Sequence, residues 1–185
     1  AFPVFYDWNQ DGLVDMLVGN YGGYDSSRYI NGFLNSYFSS SIAYYQNVGT
    51  QNLPAFKLIS NDFGNLRRLN RRAMYPAFSD FTGDGVTDLL CGNADGTLSL
   101  FVNHGGVGEM PQFAEPQDNY ASVDVGDFST PQLFDLDDDG KTDLIVGNRR
   151  GKIAYYRNVS DGEIPDFQLL SDALGGVDVR DYNNS

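Results

Sequence analysis

A chain of 185 residues has room for one ordinary domain or for several small repeated units that share a core. With 12 basic against 25 acidic residues it carries a formal charge of −13, which repels nucleic acid and anionic lipid and draws in cations, and no stretch is long or apolar enough to insert into a bilayer. One cysteine permits no internal disulfide, while 21 Gly, 12 Tyr and 13 Phe without a long segment of helical period favour short strands and tight turns, an all-β chain.

The first stretch, "PVFYDWNQDGLVDMLVGN" (3–20), reads as strand, acidic turn and strand. Strands are expected over roughly 3–7, 15–19, 41–47 and 56–60, with an insertion near 22–40 rich in Tyr, Ser, Gly and Asn. After a basic run, "LRRLNRRAM" (66–74), the pattern returns as "PAFSDFTGDGVTDLLCGN" (76–93) and again as "PQLFDLDDDGKTDLIVGN" (131–148), aligned without a gap. Downstream, "SIAYYQN" (41–47), "TLSLFVN" (97–103) and "KIAYYRN" (152–158) repeat, followed by "PAF", "PQF" and "PDF". The later period is steady, with 55 residues from Asp80 to Asp135 and 54 from Val123 to Val177; the 73 residues from Asp7 to Asp80 include the insertion.

Four antiparallel strands per unit is the content of a propeller blade. The chain therefore reads as three tandem four-stranded blades of an incomplete β-propeller, over 1–75, 76–130 and 131–185. Rings of this kind typically close with four to eight blades, so further blades are expected elsewhere in a longer parent protein, of which this is a processed or internal piece. Runs such as "DLLCG" and "DLIVG" are apolar on both faces, as a strand covered by neighbouring sheets on either side should be.

The acidic turns carry the chemistry. Oxygen-bearing residues fall at relative positions 1, 3, 5 and 9 with glycine at 6, and calcium takes six to eight hard oxygen ligands in a flexible shell. The candidate ligands are Asp7, Asn9, Asp11, the Leu13 carbonyl and Asp15; Asp80, Thr82, Asp84, the Val86 carbonyl and Asp88; and Asp135, Asp137, Asp139, the Lys141 carbonyl and Asp143. About three Ca²⁺ ions are expected, one per repeat. They would offset the repulsion among ten of the 25 acidic side chains and bring −13 to −7. The turns are not EF-hands, because position 12 is Val18, Cys91 or Val146 inside an expected strand, where a bidentate Glu is required. Asp-Gly is also an ordinary hairpin signal, but three copies in register favour the metal. The turn at 135–143, with four side-chain carboxylates against three in each of the others, is expected to bind most tightly. Sites of this kind suit the calcium levels found outside the cell.

On these residues the chain resembles the bacterial FG-GAP-like (VCBS) repeat family, whose β-propeller blades carry D-x-D/N-x-D-G-x-x-D calcium loops. Integrin α-subunit heads share those loops, although the FG and GAP elements themselves are not evident here. The stretch "PQLFDLDDDGKTDLIVGN...GKIAYYRN...IPDFQLLSDALGGVDV" is similar to repeats of large secreted Bacteroidetes proteins, many of them cargo of type IX secretion. The resemblance implies a secreted or cell-surface protein that is not an enzyme and serves as a scaffold for adhesion to a protein or glycan. Two alternatives stand beside it: the propeller part of a carbohydrate-active enzyme such as a polysaccharide lyase, and passive cargo of a secretion or outer-membrane complex.

The remaining residues have plainer readings. His104 follows the repeated Asn in a loop, and Cys91 aligns with Val18 and Val146 as a small core hydrophobe. "NVS" at 158–160 matches a glycosylation acceptor, but Asn47 and Asn103 recur there without one, which points to a turn role. The basic run reads as an ion-paired segment, and the insertion as an aromatic contact surface or a longer hairpin.

Overall fold

The computed structural model describes residues 1–179; the end of "VDVRDYNNS", and with it the end of the unit expected over 131–185, lies outside the described residues. The chain is all-β. β1 (Phe2–Tyr6), β2 (Asp15–Gly19), β5 (Ile42–Asn47) and β6 (Phe56–Ser60) form one antiparallel sheet, joined in that order. β7 (Tyr75–Ser79), β8 (Asp88–Gly92), β9 (Leu98–Phe101) and β10 (Gln117–Asp118) form a second. A third contains β11 (Thr130–Phe134), β12 (Asp143–Gly147), β13 (Ile153–Asn158) and β14 (Phe167–Ser171). The insertion is a separate hairpin of β3 (Gly23–Ile30) and β4 (Phe33–Ser39). Its turn is Asn31-Gly32, both at positive φ, the pair that matches strand twist in a two-residue hairpin loop. Among the described residues no helix is long and apolar enough to cross a membrane.

The three large sheets share one register. Pro3 lies opposite Val18, Pro76 opposite Cys91 and Pro131 opposite Val146. Each proline is on the outermost strand of its sheet, where its missing N–H costs no ladder bond. The first strand begins and ends one residue earlier than expected, which frees Asp7 for the acidic turn. In the second sheet the fourth strand is reduced to two residues, and Phe113 makes only an isolated bridge to Asn103. Pro116, just ahead of β10, cannot donate to the ladder.

Side-chain alternation stacks the sheets face to face. Leu17, Ile42 and Tyr44 of the first sheet pack with Phe78, Leu89, Cys91 and Phe101 of the second. From the opposite face of the second, Ala77, Leu90, Leu98 and Leu100 pack with Leu144, Val146, Ala154 and Tyr156 of the third. β8 is therefore buried along its whole length, as the two-sided apolar run predicts. Gly19 and Gly92 mark the two junctions: a Cβ on either would lie 2.1 Å from the Met74 carbonyl oxygen or 2.0 Å from that of Ser129, so only glycine allows the next unit's backbone so close.

The connector from the first sheet to the second contains a short 3-10 segment, Phe63–Leu69, whose Phe63 and Leu66 are fully buried in the first core. Each such side chain contributes about 2–3 kcal/mol of burial. Phe63 packs edge-on against Trp8 with ring centres 4.7 Å apart.

Candidate metal centre

Each acidic turn joins the first two strands of its sheet, and related hydrogen bonds shape all three, the position-6 N–H bonding the position-1 carboxylate in each. The position-1 carboxylate curls the turn by accepting backbone N–H groups. Asp7 takes them from Asp11 (3.2 Å) and Gly12 (2.9 Å), and Asp135 from Asp139 (3.1 Å) and Gly140 (2.9 Å). Asp80 accepts from Thr82, Gly83 and Gly85 at 3.1, 2.7 and 2.7 Å. Gly12, Gly85 and Gly140 all sit at positive φ, between 81° and 86°, as the sharp turn at position 6 requires. At position 5, Asp11, Asp84 and Asp139 each accept the N–H of position 7, namely Leu13, Val86 and Lys141, at 2.8–3.0 Å.

Position 3 differs among the turns. Asn9 accepts the Asp11 N–H (3.3 Å) and donates its amide to the Asp11 carboxylate (2.8 Å); the Thr82 hydroxyl donates to Asp80 (3.4 Å); Asp137 brings a carboxylate.

Position 9 opens the second strand and is fully buried in all three turns. Asp15 accepts from the Trp8 N–H, the Asn47 N–H and the Tyr44 hydroxyl. Asp143 has the same set in the Leu136 N–H, the Asn158 N–H and the Tyr155 hydroxyl. Asp88 has only the Phe81 and Asn103 N–H groups, because Leu100 stands where the others have tyrosine. These tyrosines were not anticipated as part of the site, although the repeated "AYY" was their signal. Burial and the bonded Asp143 carboxylate push Tyr155 up to about 12, and burial with the bonded Asp15 carboxylate raises Tyr44.

The carboxylates of one turn titrate in opposite directions. Burial raises Asp88, two backbone N–H groups only partly countering it, and the charges of Asp84 and Asp80 add to the rise. Partial burial acts upward on Asp80 too, but the N–H groups of Gly85, Gly83, Thr82 and Asp84 together outweigh it and hold that carboxyl below its ordinary value.

In the third turn Asp135, Asp137 and Asp143 each offer an oxygen within 4.8 Å of the others. Oxygens bound to one Ca²⁺ at about 2.3–2.6 Å are at most about 5 Å apart, so the spacing of the three is compatible with a single ion. Sequence reasoning missed Arg157 beside them: its guanidinium lies 2.6 Å from Asp137 and 3.0 Å from Asp139. Nothing in the acidic motif signals this contact, which comes from β13 across the sheet.

The other residues of interest are structural. Cys91 is buried in the first core, where loss of solvent pushes its thiol up to about 12 and leaves it unreactive. His104 is exposed. Asn47, Asn103 and Asn158 each accept two backbone N–H groups across the following loop. Asn158 also donates its amide to the Thr142 carbonyl and is buried, so its sequon presents no free acceptor. The basic run pins the first unit to the second through Arg68–Glu115 (2.6 Å) and Arg71–Asp118 (2.8 Å).

In comparison with known proteins, no family model, no curated protein and no solved structure matches this chain, so the functional reading stands on the geometry of the turns.

Proposed function

We propose that the chain is a non-enzymatic, calcium-stabilised segment of a β-propeller from a secreted or cell-surface protein, serving as a scaffold for protein or glycan contact. The observation that carries the proposal is the threefold recurrence of one hydrogen-bonded acidic turn at the same strand junction of three stacked sheets, with three carboxylates at ligand spacing in the last. Asp135, Asp137, Asp139, the Lys141 carbonyl and Asp143 would hold the ion there, with the corresponding residues doing so in the other turns. A bound cation would tie the first two strands of each sheet together and relieve the repulsion among their carboxylates.

The propeller reading is supported by the way the sheets stack. Equivalent positions face the same way in every unit, so each unit offers one face forward and a different one backward. The contact role is supported by the β3–β4 hairpin, which leaves Tyr24, Tyr29, Phe33, Leu34 and Tyr37 exposed. Extracellular calcium levels suit turns of this ligand count, and the resemblance to secreted repeat proteins points the same way.

Calcium titration by calorimetry, paired with thermal unfolding in calcium and in chelator, tests the proposal. The expected result is heat from saturable binding and a higher Tm in calcium. No heat and no shift at 10 mM calcium would overturn it.

A further inference from the structure

We infer that Arg157 is a built-in counter-cation of the third turn, a side chain that a divalent ion has to displace, so that the turn richest in carboxylates is held back from being the tightest site. This rests on the calcium reading above and assigns a regulator to one of its sites.

Arg157 sits on β13, next to Asn158, whose N–H holds Asp143. Its Nε is 2.6 Å from Asp137 Oδ2 and a terminal nitrogen is 3.0 Å from Asp139 Oδ2. Asp137 belongs to the triad whose oxygens lie within 4.8 Å of one another, and Asp139, which stands outside that triad, is the ligand proposed at position 5. Nε is shielded from solvent and makes no well-directed hydrogen bond despite the short approach, so charge rather than bond direction holds the contact to Asp137.

The repeats supply an internal control. Gln46 and Val102 occupy the same place in the first and second units, and neither carries charge. The third turn thus sets four ligand carboxylates against one guanidinium, where the others have three carboxylates and none. The third turn also carries Asp138 and Lys141, whose charges offset each other, so the added ligand carboxylate and the added arginine nearly cancel in the field an arriving cation meets. With the guanidinium in place, a Ca²⁺ within a few ångströms would be repelled by it and would share Asp137 and Asp139 with it. Binding therefore requires the arginine to swing outward, and its partly exposed side chain has solvent to swing into.

An orienting role makes the opposite prediction. If Arg157 holds Asp137 and Asp139 in the ligating pose, removing it weakens binding. The test is calcium calorimetry on the full chain with the first and second turns silenced by Asp11→Ala and Asp84→Ala. Arg157→Gln, which installs the first unit's residue, is expected to tighten calcium about tenfold at low ionic strength, with the gain shrinking as salt rises. The reciprocal Gln46→Arg, in a chain whose other two turns are silenced, is expected to weaken the first turn by about the same factor; it carries the test should R157Q not fold. Unchanged or weaker binding in R157Q, or an unaffected first turn in Q46R, would overturn the inference while leaving the calcium reading intact. If the unmutated chain takes up no calcium at any turn, both fall.

Discussion

Phe5 and Phe78 hold the same position in two copies of one unit, yet Phe5 is 59% exposed and Phe78 is 7% exposed. The difference lies in the surroundings: Phe78 faces the first sheet across a filled junction, whereas Phe5 points away from the stack. The same contrast runs along the second strands. β8 is buried throughout, while Met16 and Val18 in β2 and Ile145 in β12 are only half-buried on the faces that lack a neighbouring sheet. Burial in this molecule belongs to the junction between units, and the acidic turns belong to the unit itself.

That distinction can be broken at several strengths. The largest effect is expected from Phe78→Ala, which should lower stability by about 3–5 kcal/mol, against less than about 1 kcal/mol for Phe5→Ala, read from urea unfolding. Equal losses would mean that the junction does not set the energetics. Next comes calcium: at about 100 times its Kd, each occupied turn should add about 2.7 kcal/mol, and Asp7→Ala, Asp80→Ala and Asp135→Ala should each remove one such increment from the calcium-dependent Tm shift. An increment lost only from the middle sheet would tie the sites to the stack rather than to the unit.

Asn47→Ala, Asn103→Ala and Asn158→Ala should each cost about 1–3 kcal/mol, and similarly in all three sheets, because the bonds lost are local. Mass spectrometry of protein made in a glycosylating host should find Asn158 unmodified.

The smallest effect concerns Asp118. Its bond to Arg71 holds the carboxyl below the ordinary 3.8, with burial opposing and Ser99 assisting. A folded value below the unfolded one means that the stabilisation is present above about pH 4 and is lost as the pH falls through and below 3.8. Because the pair is well exposed, Asp118→Asn should remove only about 0.2–1 kcal/mol at neutral pH and flatten that part of the acid-unfolding profile.

The strands and turns were legible because each is specified by nearby residues. A proline, an aspartate four positions on, a glycine that must take positive φ and a two-sided apolar run state their own geometry wherever they occur. What could not be read depends on distance across the fold. Arg157 meets Asp137 and Asp139 from a neighbouring strand, and Arg68 and Arg71 each reach partners 47 residues away. The shortened β10 had a local signal in Pro116, weaker than the repeat pattern around it, whereas a longer hairpin is already one reading of the insertion, with Asn31-Gly32 as its turn.

The β3–β4 hairpin leaves the first sheet where its sisters make a tight turn, and its two ends are clipped together by Asn20 and Ser41. Asn93 with Thr97, and Asn148 with Lys152, close the corresponding turns in a similar way. The clasp encloses 20 residues where its sisters enclose three, and is what lets 17 extra residues leave and return without disturbing the ladder beneath. By that logic the other two clasps are splice points, places where foreign loops of comparable length can be grafted to give one scaffold three independently variable tips.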